Sequence, residues 1–282
     1  MSTGLLSKPK PKAQDSGRGL LIALLSQPGL GKSSLLSQFP HVHFICDYRD
    51  QGILDLIDYK TATKVKLGLK DVTVVSSYGE LVNAIKVVIN DPDIWTIVIE
   101  SLVGIQAFCT ERCLDIDYQF KENPGKARNN YINYRNGHDL AANCHFQEIL
   151  DLMIQGQIKG KGIFFTGHAK IGTAKSVTVG TDDHIADLIE STPEMARRVN
   201  ATFANILHIG STSLTTKSYG MPKAKATGEI THSIYCTNNP HFPAKNRMGL
   251  FNDIDYPCDV ELAYQTLCAA LSLDPLTGKR KL

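Results

Sequence analysis

Apolar runs alternate with stretches of helical spacing along most of the chain. Leu20 to Leu25 is continuously apolar, the pattern of a strand covered on both faces. A glycine-containing loop follows, then a helix from near Lys32. Val42 to Cys46 predicts a second short strand and Val72 to Val75 a third. Ser77 and Glu80 form a capping box that opens a helix, with Leu81, Ile85, Val88 and Ile89 on one stripe. Trp95 to Ile99 and Ile163 to Thr166 read as the fourth and fifth strands. Ile206 to Ile209 and Ile230 to Cys236 read as later, antiparallel strands. Val260, Ala263, Tyr264, Leu267 and Leu271 mark a final amphipathic helix. Strands alternating with helices predict an α/β fold: a mainly parallel central sheet flanked by helices, with antiparallel strands toward the C-terminus.

Two stretches lack periodicity, Tyr118 to Gly137 and Gly172 to about Pro193. Loops of that length in a compact domain are usually functional or disordered. Residues 1–17, rich in Lys, Pro and Ser, read as a flexible arm, residues 18–274 as one domain, and residues 275–282 as a basic tail. Neither end is expected to pack.

Composition narrows the function. The chain has 282 residues, 43% of them apolar, enough to bury a full core. A net charge of +2 excludes binding to nucleic acid by bulk charge but leaves room for a local basic surface. No apolar run approaches the roughly 18 residues of a membrane span, and the start of the chain lacks a signal-peptide core. A cytoplasmic protein with no membrane partner is expected. Seven irregularly spaced cysteines suit reduced thiols. Cys109 and Cys113 lie one helical turn apart and Cys144 adjoins His145, but no close second ligand pair joins them. Buried thiols are the favoured reading over zinc.

The segment Ser26-Gln27-Pro28-Gly29-Leu30-Gly31-Lys32-Ser33, followed by Ser34, lies between the first strand and a helix. It fits the phosphate-binding pattern G-x-x-x-x-G-K-[ST], with Ser26 where the first glycine stands. Gly29 and Gly31 let backbone N–H groups curl around an anion. Lys32 is expected to reach the β- and γ-phosphates of ATP, and the Ser33 hydroxyl to ligate Mg²⁺. The departure at Ser26 bears on hydrolysis rate more than on binding. Such a site needs a carboxylate at the end of a buried strand, and Trp95-Thr-Ile-Val-Ile-Glu100 supplies Glu100, expected to hold the metal through water. Asp47, ending the second strand, is the candidate for polarising the attacking water, with Asp50 competing.

Together these residues resemble RecA-family ATPases, in particular the phage-encoded RecA-like proteins that accompany single-strand annealing recombination, over residues 18 to 255. Ile99-Glu100-Ser101 resembles that family's apolar-Asp-Ser ending. The segment Ile163 to Lys170 is similar to the strand whose terminal polar residue senses the γ-phosphate, which implies that role for His168. Ala244-Lys245-Asn246-Arg247-Met248-Gly249 is similar to the Lys-Asn-Arg-Phe-Gly motif, in which the Lys and Arg reach a neighbour's ATP. For Lys245 and Arg247 that implies a ring or filament with ATP at the subunit interface. The serine, the glutamate, the histidine and Met248 are departures that leave turnover in question more than binding.

The resemblance also places axial DNA-binding loops at the two aperiodic stretches. The first interleaves Lys121, Lys126, Arg128 and Arg135 with Tyr118, Tyr131 and Tyr134, cations for phosphates beside faces for unstacked bases. The second carries Lys170 and Lys175 but also Asp182 and Asp183, and Lys217, Lys223 and Lys225 form a further cluster. The implied function is a DNA-dependent ATPase acting on single-stranded DNA in recombination, annealing or repair. A single-strand binding protein is a further candidate partner. The alternative is a nucleotide-regulated adaptor, such as a helicase loader or packaging accessory. A small-molecule kinase would need an Arg-rich lid, which the sequence lacks.

Overall fold

The computed structural model describes residues 17–50, 52–63, 68–133, 136–174, 184–216, 225–237 and 241–279. Strand β1 (Leu21–Ser26) is buried at every position, and its alternating side chains enter two different cores. Leu21, Ala23 and Leu25 face one layer, while Ile22 and Leu24 face the other. A strand covered on both faces must read as a continuous apolar run. Truncating a buried leucine such as Leu24 to alanine costs about 2–5 kcal/mol.

After β1 come α1 (Lys32–Leu36), β2 (Val42–Asp47), α2 (Gly52–Thr63), β3 (Leu69–Val75), α3 (Tyr78–Val88), β4 (Thr96–Glu100) and α4 (Leu102–Ile116). Then follow α5 (Pro124–Ile132), α6 (Asn136–Leu140), a π-helical turn (Ala141–Phe146), α7 (Gln147–Ile158), β5 (Gly162–Ala174) and β6 (His184–Ile189). The chain continues through α8 (Pro193–Thr202), β7 (Asn205–Thr216), β8 (Lys225–Tyr235), β9 (Ile254–Asp255) and α9 (Val260–Ala270). The sheet order is β3-β2-β4-β5-β1-β7-β8-β9, with β6 paired to the extension of β5. From β3 to β7 every pairing is parallel, while β7–β8, β8–β9 and β5–β6 are antiparallel. This is the expected α/β architecture.

Register brings the polar strand ends together. Ser26 pairs with His168 across β1 and β5, and Cys46 pairs with Glu100 across β2 and β4. The carboxyl ends of β1, β2, β4 and β5 thus share one edge of the sheet, where open α/β sheets bind ligands.

Several expectations are corrected. Tyr118 to Gly137 is largely helical rather than a loop: Asn123 caps α5 by accepting from the Lys126 N–H, and Pro124 opens the first turn. The helix escapes pattern reading because it buries only Ala127 and Tyr131, one turn apart. The second stretch becomes the far end of β5 and strand β6, with Ala169 opposite Ile189 and Gly172 opposite Ala186. Residues 175–183 lie outside the described residues, as does the expected N-terminal arm up to residue 16. The C-terminal end packs further than expected, with the Lys279 ammonium 5.9 Å from the Trp95 ring centre. Tyr264 Oη donates to the Pro275 carbonyl at 2.7 Å, and Asp274 N donates to the Lys279 carbonyl at 2.8 Å. In the capping box Ser77 accepts from Glu80 N, but the Glu80 carboxylate accepts from Ser76 N, one residue earlier than the motif implies. No helix among the described residues is long and apolar enough to cross a membrane.

Candidate functional site

The loop between β1 and α1 turns through two glycines in the left-handed region, Gly29 with φ 81° and Gly31 with φ 77°. A side chain is strained there. Gly31 is restricted a second time: a Cβ would stand 2.8 Å from Tyr256 Oη, which donates to the Gly31 carbonyl at 3.2 Å. Ser26 is fully buried, and its Oγ accepts from Lys32 Nζ at 2.7 Å while donating to the Gln27 carbonyl at 2.6 Å. The hydroxyl that replaces the motif's glycine therefore holds the lysine. Lys32 is itself buried, and burial pushes its pKa down to about 8 against the pull of Glu100 and Asp50.

Ser33 follows Lys32 in the first turn of α1, and its Oγ donates to Glu100 Oε1. Glu100 ends β4 and is buried; burial pushes its carboxyl up to about 7, opposed by the Ser33 hydrogen bond and by Lys32 and reinforced by Asp50. Lys32 and Glu100 are thus both shifted toward their neutral forms, so desolvation outweighs their mutual attraction. Glu100 Oε2 is buried without a hydrogen-bond partner among the described residues. A buried, unpartnered carboxylate oxygen beside a serine hydroxyl is a hard oxygen donor set, and it fits Mg²⁺.

His168, across the sheet from Ser26, turns Nδ1 toward Lys32 Nζ at 3.5 Å. Burial, then the Lys32 charge, lowers its pKa, so the ring is neutral, with Nδ1 facing the ammonium as acceptor. Asp47 is buried at the end of β2, but Arg49 occupies it. The guanidinium Nε lies 2.9 Å from each carboxylate oxygen, and Arg49 N donates to Oδ1 at 3.0 Å. Gly104 of α4 packs so close that a Cβ there would be 2.5 Å from Asp47 Oδ2. The expectation that Asp47 polarises water does not fit a carboxylate engaged on both oxygens. Asp50 is the acid whose charge is felt at Lys32, Glu100 and His168. It lines a cavity of about 390 Å³ with Asp47, Arg49, Ser101, Gly104 and His168, and of the two acids there only Asp47 is held by Arg49.

On the other side of the loop, Gln27 Nε2 donates to Asp187 Oδ1 of β6 at 3.1 Å. Asp187 Oδ2 lies 3.2 Å from Nε2 of the fully buried His208 on β7, close but not aligned as a hydrogen bond. Burial outweighs Asp187 and drives the His208 pKa down to about 4. Sequence reasoning missed Asp187 and His208, because nothing local pairs Gln27 with a residue 160 positions away. Leu30 and Gln27 border a smaller cavity of about 220 Å³ with Gly210 and Phe242. Pro28 completes the loop and Ser34 follows Ser33 in α1.

Lys245 and Arg247 are not drawn into this cluster within one chain. Lys245 Nζ donates to the Asn200 carbonyl, and its main chain bridges to Ile206. Asn246 pins the turn, its amide donating to the Cys236 and Leu250 carbonyls at 2.6 and 3.0 Å. Arg247 is exposed, and its side chain makes no ion pair among the described residues. Of the expected DNA contacts, Lys121, Lys126 and Arg128 are exposed, with the Arg128 guanidinium 5.2 Å from the Phe120 ring centre. Tyr131 is not available for base stacking. It is buried, edge-on to Tyr118 and His138, with its hydroxyl 3.2 Å from Thr110 Oγ1. Tyr134, Arg135, Lys175, Asp182, Asp183, Lys217 and Lys223 lie outside the described residues. Lys170 is exposed on β5, and Lys225 opens β8.

No curated protein matches the chain. A family pattern described as an AAA domain matches residues 18–248, from the segment preceding β1 through the turn that Asn246 pins. The glycine-turned loop, the buried lysine and the strand-end acid all fall within that span, and the chain belongs to this family of P-loop NTPase-type AAA domains.

Proposed function

We propose that this AAA-domain protein is a RecA-like ATPase that acts on single-stranded DNA in recombination, annealing or repair. It assembles through its nucleotide site. The observation that carries the nucleotide half is the unpartnered Glu100 Oε2 beside Ser33, one residue from a buried Lys32. Backbone N–H groups of Gly29 to Ser33 grip the triphosphate, and Lys32 leaves Ser26 to meet its outer phosphates. Ser33 and, through water, Glu100 would hold Mg²⁺, which when bound would supply positive charge against the phosphates. Asp50, rather than Asp47, orients the attacking water in the cavity it shares with His168. His168, within reach of Lys32, reports γ-phosphate occupancy to the β5–β6 hairpin.

The DNA half is supported by the exposed Lys121, Lys126 and Arg128 around α5, and the assembly half by the outward Arg247. A cation supplied in trans stabilises the charge that develops on the γ-phosphate. The test is ATP turnover with and without single-stranded DNA. Stimulation by DNA is expected, with loss of turnover in Lys32→Ala. An unstimulated protein that binds ATP but not DNA would favour the nucleotide-regulated adaptor.

A further inference from the structure

About one helix length from the nucleotide site, the far end of α4 meets the π-helical turn. Cys113 and Asp117 lie four residues apart on one face of that helix end, and His145 approaches from the turn. One ligand-type atom from each residue, Cys113 Sγ, an Asp117 carboxylate oxygen and a His145 ring nitrogen, lies within 4.8 Å of the other two. The set runs from a buried thiol through a partly buried imidazole to an exposed carboxylate, so it opens to solvent on one side. We infer that these three residues form a zinc site, with the fourth position of the tetrahedron open to water.

The donor types select the metal. Thiolate, imidazole and carboxylate together suit Zn²⁺, whereas Mg²⁺ and Ca²⁺ take oxygen. Tetrahedral zinc with ordinary bond lengths spaces its ligand atoms about 3.3–3.6 Å apart. His145 Nε2 and Asp117 Oδ2 are 2.7 Å apart, so they part slightly to admit the ion, and Cys113 Sγ lies within 4.8 Å of both. Cys113 Sγ makes a long contact, 3.7 Å, to the Gly137 carbonyl and already interacts with the Asp117 carboxylate.

The scaffold is fixed from behind. Tyr78 Oη lies 2.9 Å from the His145 carbonyl and 2.7 Å from Glu148 Oε2, its one proton shared between the two acceptors, and the Tyr78 ring meets the imidazole edge-on. The π-helical turn itself inserts an extra residue into the helix, a device frequent at functional sites. Asp117, at the C-cap of α4, is the ligand that cysteine and histidine spacing alone does not reveal. Zinc binds the thiolate, so ligation displaces the Cys113 proton to solvent and affinity falls as pH falls. A metal there ties the end of α4 to the entrance of α7 and closes the base of the α5–α6 excursion, which carries Lys121, Lys126 and Arg128.

The test uses full-length protein stripped with chelator and titrated with Co²⁺, then with Zn²⁺. One equivalent of Co²⁺ is expected to give a thiolate-to-metal charge-transfer band and tetrahedral visible bands, both lost as Zn²⁺ displaces it. Cys113→Ser removes the charge-transfer band. Asp117→Asn, at an exposed position that spares the fold, weakens binding by more than about tenfold. Cys144→Ser keeps the band. Absence of the band in folded wild-type protein would overturn the site, as would wild-type affinity in Asp117→Asn or loss of the band only in Cys144→Ser.

Discussion

Lys32 Nζ rests on Ser26 Oγ at 2.7 Å, so the residue that departs from the phosphate-loop pattern is the one that parks its lysine. The ammonium must leave this hydroxyl to reach a phosphate. Nucleotide binding exchanges one hydrogen bond for another, and the bond given up is worth about 0.5–1.5 kcal/mol. Ser26→Ala is therefore expected to tighten ATP binding by about two- to tenfold, measured with a fluorescent nucleotide. Weaker binding in that variant would show that Ser26 shapes the loop instead of restraining the lysine.

Glu100 sets a pH signature. Its folded-state pKa is raised from 4.5 to about 7, so between those values the folded chain binds more protons than the unfolded one. The stability it contributes is present at low pH and lost as pH rises through about 7. Glu100→Gln should raise the apo Tm at pH 8 and change it little at pH 5. The Mg²⁺ dependence of nucleotide binding should weaken in wild type below about pH 7 and vanish in the variant. An equal Tm shift at both pH values would contradict the buried-carboxylate account.

The two acids after β2 should separate cleanly. Asp50→Asn is expected to lower kcat by about 10²-fold with the fold intact. Asp47→Asn is expected to act through stability, by about 1–3 kcal/mol, because it loosens Arg49 from a buried acceptor. Urea unfolding beside steady-state ATPase assays distinguishes them. The reverse pattern would restore Asp47 to the water.

For DNA, replacing Lys121, Lys126 and Arg128 by alanine should flatten the slope of log affinity against log salt by roughly 0.7 per cation lost. Tyr131→Leu should leave the single-strand affinity of the folded protein within about twofold, since the ring faces the core, whereas losing a base-stacking ring would cost about 1–3 kcal/mol. Fluorescence anisotropy at several salt concentrations reads both.

The proposed trans role of Arg247 calls for a mixing experiment. Arg247→Ala alone should bind nucleotide but turn over about 10²-fold more slowly or worse. Mixed with Lys32→Ala chains it should regain activity, because intact loops then face intact arginines. No recovery on mixing, with assembly preserved, would place Arg247 outside the neighbour's site.

Much of this site is legible in the sequence. The loop, Lys32, Ser33 and Glu100 are local signals: two glycines, a basic residue and a strand-ending acid, each set by its immediate neighbours. The fate of Asp47 was not legible. Its occupation by Arg49 depends on side-chain directions at a strand end and on Gly104 of a helix that periodicity did not reveal. Tyr131 misled for a related reason. A tyrosine among cations reads as a stacking face, but its partner Ala127 is four residues away and the pair is the buried stripe of a short helix. Asp187 and His208 leave no local trace, since each matters only through register.

The contact between Gln27 and Asp187 makes the β5–β6 hairpin a splint on the phosphate-binding loop. Whatever pulls β6 aside must stretch or release that amide, and whatever reshapes the loop around a triphosphate must push back on β6. Occupancy at one end and posture at the other are then one thermodynamic quantity read from two places, equal in magnitude in both directions.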